Sequence, residues 1–205
     1  MVKINKNQEK ILNLFRNNIF LKTSIRELTK KLQSKSYQRI YESVKEFKKE
    51  NIIKIEKAGQ TSLVSLNLSK KTILYLSFLD EEESMSKHIP NYNQLTEIKE
   101  ITDFLIIITG SYAKDTYNKK SDLDLVIILP DDKDPVKVHD LIENLTMLYT
   151  PKIHLYVFKK KDFISMLIDK QENYGKEIFK NHLILKNSQI YYELLKEAIN
   201  NGFKY

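Results

Sequence analysis

The chain has 205 residues, 41% of them hydrophobic, no cysteine and a formal charge of +7; this supplies apolar material for one large core or two small ones and excludes disulfides and thiolate metal sites. Its longest apolar run, Phe104 to Thr109, and the charged N-terminal MVKINKNQEK fall far short of the roughly 20 apolar residues of a membrane helix, so the expectation is a cytoplasmic protein without membrane span or secretory signal. Residues 1–70 hold 16 basic and 6 acidic side chains, a net of +10, whereas the rest hold 18 and 21, a net of −3; the asymmetry indicates two modules, the first suited to a polyanion.

Residues 7–18 place Ile11, Leu12, Leu14 and Phe15 at helical spacing. Ser24 precedes a second periodic segment with Ile25, Leu28 and Leu32, and Glu27 completes a capping-box pattern. After the polar break Gln33-Ser34-Lys35-Ser36, a third helix is expected to about Glu50, with Ile40, Val44 and Phe47 inward. Two short alternating runs, Ile52 to Glu56 and Ser62 to Leu68, are joined by Lys57-Ala58-Gly59-Gln60-Thr61 as a hairpin. Three helices followed by a hairpin resemble the winged helix-turn-helix fold over nearly all of residues 5–68. That resemblance implies a third helix in the major groove and a wing on the backbone, with Lys35, Ser36, Gln38 and Arg39 near DNA and Lys57 on the wing. A winged helix given over to protein contacts is the alternative.

Residues 70–101 read as two connecting helices parted by Pro90; the first carries Ile73, Leu74, Leu76 and Phe78 and ends in Asp80-Glu81-Glu82-Glu83, expected as a solvated face. From Phe104 onward strands alternate with helices. The strands are Phe104–Thr109, Leu123–Leu129 and Lys152–Phe158; between the last two lies a helix capped by Asp134, with Pro135 first, carrying Val138, Leu141, Ile142 and Leu145 to Tyr149. The tail from about Lys160 reads as helical, with a short extended piece at His182–Lys186.

The chemistry lies between Gly110 and Asp124. A glycine ending a buried strand lets the backbone turn sharply and approach a ligand. Ser111 is expected to open a helix whose free N–H groups, with its hydroxyl, suit a β/γ-phosphate. Asp122 and Asp124, two residues apart on a strand, project from one face and can converge on a hard cation. A Gly-Ser followed after ten residues by Asp-x-Asp at the start of an apolar strand resembles the signature of the DNA polymerase beta nucleotidyltransferase superfamily. The resemblance is close over residues 104–129, extends through the order of elements over 91–186, and is strongest to minimal members fused to a winged helix, the archaeal type.

It implies an α+β protein: a winged helix-turn-helix domain over 1–69, a connecting helix over 70–90, and over 91–205 a polymerase-beta-like domain whose mixed sheet is flanked by helices. It further implies transfer of a nucleoside monophosphate, AMP from ATP or another nucleoside triphosphate, to a hydroxyl on a protein or RNA acceptor. Gly110, Ser111 and Lys114 would hold the triphosphate, and Asp122 and Asp124 would bind Mg²⁺, with Mn²⁺ as a substitute. Two departures stand out. Asp115 occupies a place usually held by glycine, and His154 stands where the family puts a third carboxylate. Imidazole is a poor Mg²⁺ ligand, so His154 is either a general base or a core-edge histidine. The departures leave two rivals: a DNA-binding regulator with a degenerate nucleotide-sensing domain, and an antitoxin-like partner of a HEPN-type RNase toxin.

Overall fold

The computed structural model describes residues 4–205, in two compact units that divide between Leu79 and Asp80, with Tyr205 grouped with the first. In the first unit, α1 (Lys6–Arg16) starts at a capping box formed by Asn5 and Gln8. A three-residue strand, β1 (Lys22–Ser24), runs into α2 (Ile25–Lys31), which opens on the Ser24–Glu27 box read from the sequence. The third helix, α3 (Tyr37–Lys49), is capped by the Ser36 side chain. Its Ile40, Val44 and Phe47 are buried, as are Ile11, Leu12 and Phe15 of α1 and Leu28 of α2. The hairpin strands are β2 (Ile53–Ala58) and β3 (Thr61–Leu66). Ala58 pairs with Thr61, so the turn is Gly59-Gln60 rather than the expected five residues. Gly59 alone takes a left-handed φ, +60°, as in the two-residue turns that follow the strand twist. With β1 added on β3, the sheet is antiparallel in the order β1-β3-β2. The next helix, α4 (Lys70–Ser86), contains the division between units; Ile73 and Leu76 are buried, while Leu74 and Phe78 are exposed.

In the second unit, α5 (Tyr92–Thr96) and a 3₁₀ turn over Lys99–Ile101 precede β4 (Leu105–Ile108), a single turn α6 (Gly110–Ala113), and β5 (Leu123–Leu129). Then follow α7 (Pro135–Thr146), capped by Asp134 as expected, β6 (Ile153–Lys159), α8 (Lys160–Ile168), α9 (Tyr174–Lys180), β7 (Leu183–Lys186) and α10 (Ser188–Asn200). These strands form a mixed four-stranded sheet in the order β6-β5-β4-β7, with β4 antiparallel to both neighbours and β5 parallel to β6. The parallel pair requires a crossover, which α7 supplies.

Alternation along β5 positions the site. Leu123, Leu125, Ile127 and Leu129 enter one apolar layer with Ile106, Ile108 and Ile142. Asp124, Val126 and Ile128 face the other way, the side on which α8 packs against β5 and β6. Asp124 is the one residue of β5 that is not buried.

The acidic run after Leu79 departs from its expected solvated character. Asp80 is buried and accepts a hydrogen bond from the Tyr192 hydroxyl. Glu81 accepts from the Ser188 hydroxyl at 2.6 Å and the Ser188 amide at 3.3 Å. Their donors come from α10, more than a hundred residues further along the chain, where no local pattern announces them. Among the described residues, no helix is long and apolar enough to cross a membrane.

Candidate functional site

Beyond Ile108 the chain bends at Gly110, whose φ of +65° is left-handed. A Cβ at this position would lie 2.0 Å from the Oδ2 atom of Asp124, so glycine is required on two counts: backbone conformation and the approach of the carboxylate. The helix expected from Ser111 starts one residue earlier, at Gly110, and is a single turn. It closes after Ala113, with the Lys114 amide donating to the Gly110 carbonyl at 3.1 Å, so its dipole is that of one turn and a phosphate held here would depend chiefly on the bend itself.

Asp122 immediately precedes β5 and Asp124 is its second residue. His154 on β6 pairs in register with Asp124. Its Nδ1 lies 3.6 Å from Asp124 Oδ1, and its Nε2 lies 3.8 Å from Asp122 Oδ2. The two aspartates and the histidine singled out in the sequence therefore converge beside the Gly110 bend. Asp124 is the more enclosed, its side chain 26% exposed against 42% for Asp122. Among the described residues neither carboxylate accepts a hydrogen bond from the protein, and the imidazole is their one ion-pairing neighbour. Two carboxylates so placed favour a cation. The donor set suits Mg²⁺, which keeps several waters and is commonly held by one or two carboxylates together with substrate phosphates.

Lys114 ion-pairs with Glu177 at 2.6 Å. Asp115 takes a left-handed φ of +56°, which accounts for the glycine usual at this place. Its carboxylate meets Lys87 at 3.3 Å, so the acidic group that the sequence sets near the phosphates has a counter-ion. Tyr174 and Glu177 are neighbours of the site that no local pattern announces. The Tyr174 hydroxyl is 2.9 Å from Thr109 Oγ1, and its ring packs on Tyr156 with centroids 4.5 Å apart. Burial, with smaller contributions from Tyr156, Asp124 and Glu177, pushes this phenol up to about 12 against the opposing Thr109 hydrogen bond. Tyr191 and Tyr192 are core residues.

Of the residues set near DNA, Lys35, Gln38, Arg39 and Lys57 are exposed in the first unit. The Ser36 hydroxyl caps α3 by accepting from the Arg39 amide at 3.3 Å, and Gln38 donates to Glu42 at 3.0 Å.

Residues 92–185 match the family described as "Nucleotidyltransferase domain". A relative from Methanocaldococcus jannaschii, named "Putative protein adenylyltransferase MJ0141", is 33% identical over 76 residues, which are 36% of this chain and 76% of the relative. The chain belongs to the nucleotidyltransferase family. The nucleotidyltransferase match starts at the first residue of α5 and ends within β7, so it contains Gly110, Asp122, Asp124 and His154 together. No solved structure gives a significant match to the chain.

Proposed function

We propose that the second unit moves AMP from ATP to a hydroxyl acceptor, with Mg²⁺ or Mn²⁺ held by Asp122 and Asp124. The observation that carries this reading is the packing of the Asp124 carboxylate against Gly110, where a Cβ would come within 2.0 Å of Oδ2. It brings the groups assigned to the metal next to those assigned to the triphosphate, Gly110 and Ser111. Lys114, now on Glu177, is the third group assigned to the triphosphate. A bound divalent ion would neutralise triphosphate charge and polarise the acceptor hydroxyl. In the transfer, the acceptor oxygen bonds to the α-phosphorus, the bond to the β-bridging oxygen breaks, and pyrophosphate leaves. His154, opposite Asp124 in register, is assigned the acceptor's proton. The name of the archaeal relative favours AMP as the group moved and a protein as acceptor.

Incubation with ATP labelled at the α-phosphorus, Mg²⁺ or Mn²⁺, and candidate protein or RNA acceptors should label the acceptor and release pyrophosphate. Nucleotide binding without transfer under any of these conditions would replace the enzyme with a sensor.

A second reading concerns the first unit: residues 1–69 as a winged helix-turn-helix domain, joined by 70–90 to a transferase domain over 91–205. The order α1, α2, α3 and hairpin favours it, as does the exposure of Lys35, Gln38 and Arg39 about the start of α3. DNA would be met by these residues with Ser36, and by Lys57 on the wing. Affinity for DNA should then fall steeply with salt.

A further inference from the structure

We infer that the first unit binds an unpaired nucleic-acid strand through Tyr37 and Tyr41 of α3 and the cations around them, an inference that rests on reading this unit as a nucleic-acid binder. The two tyrosines are 50% and 40% exposed. One helical turn apart, their rings lie nearly parallel, at 21°, with centroids 6.3 Å apart. A cavity of about 450 Å³ adjoins Tyr41, with Ile25, Val44 and Ile55 among its apolar lining and Lys45 and Lys48 among its cationic lining. A second, of about 500 Å³, adjoins Tyr37 and is lined by Arg26, Thr29 and Lys30. Among the described residues, none of these four cations forms an ion pair, unlike Lys22 and Lys71, which meet Glu56 and Glu50.

Unneutralised cations on both sides of an exposed aromatic pair fit a ligand that alternates phosphates with planar rings. In a duplex the ring faces are covered by neighbouring base pairs, leaving edges and backbone for a protein to touch. An unpaired strand offers its base faces, which stack on tyrosine whatever their sequence. The exposed rings are therefore assigned to the bases of a single strand, and the flanking lysines and arginine to its phosphates.

The test is fluorescence anisotropy of the full chain with a mixed-sequence single strand of about 12 nucleotides, as DNA and as RNA, and with the matching duplexes. Tighter binding of single strands, by about tenfold, is expected, as is a loss of about tenfold for each of Tyr37→Ala and Tyr41→Ala. The Tyr37→Phe/Tyr41→Phe protein should keep the parent affinity, and Lys45→Gln/Lys48→Gln should flatten the salt slope by about 1.4. Thermal melts confirm that the exposed substitutions leave the fold intact. Duplex bound as tightly as single strand, or alanine variants that bind like the parent, overturn the inference while the nucleic-acid reading stands. Failure to bind either form overturns both.

Discussion

The second unit contains two acidic pairs with opposite surroundings. Asp80 and Glu81 are met by hydroxyl donors, Tyr192 and Ser188, so their charge is satisfied by the protein itself. Asp122 and Asp124 accept no protein hydrogen bond among the described residues and face a lone imidazole at 3.6–3.8 Å. Two carboxylates this close, without donors of the protein's own, repel one another and favour a cation between them. Closely spaced acids thus become informative once their donors are counted: the first pair anchors α10, and the second has no hydrogen-bond donor among the described residues.

The contrast breaks most visibly at the open pair. Changing Asp122→Asn together with Asp124→Asn should weaken Mn²⁺-dependent ATP binding by about a hundredfold, about 2.7 kcal/mol, in titration calorimetry, without lowering the melting temperature. Undiminished binding would make the two pairs equivalent. Conversely, Tyr192→Phe removes a donor from buried Asp80 and should cost about 2 kcal/mol of stability in denaturant unfolding, with the dissociation constant for ATP unchanged. Replacing His154→Asp adds a third oxygen donor opposite Asp124 and should tighten Mn²⁺ by about tenfold; no gain would mean that this position does not face the ion. The smallest effect belongs to Asp115→Gly. Relief of a left-handed residue is worth about 1–2 kcal/mol and the exposed pair with Lys87 under about 1 kcal/mol, so a stability gain of about 1 kcal/mol is expected by thermal melting. A loss would show that the ion pair outweighs the backbone.

Short-range chemistry was legible in the sequence. The capping signals of α2 and α7 stand within three residues of the helix starts they satisfy, and β5 is a seven-residue stretch, apolar except at Asp124, ended by Pro130. The opposition of Asp124 and His154 was implied by the family resemblance rather than by any local pattern, and the register places them side by side. Features whose partners lie far along the chain were illegible. Glu177 is 63 residues from Lys114, and Tyr174 is 65 from Thr109. In β1, three residues are too few to show alternation. Periodicity also identifies an apolar face without saying what covers it: of the α7 stripe, Ile142 is buried whereas Leu141 and Leu145 are exposed.

The interlock of Gly110 with Asp124 bears on how this protein can change over generations. A side chain at the first position is strained by the left-handed backbone and displaces the acid at the second, so a single substitution at the bend is expected to disturb both. Descendants are therefore expected to exchange His154, whose side chain is half exposed, before they exchange the glycine, whose backbone is left-handed.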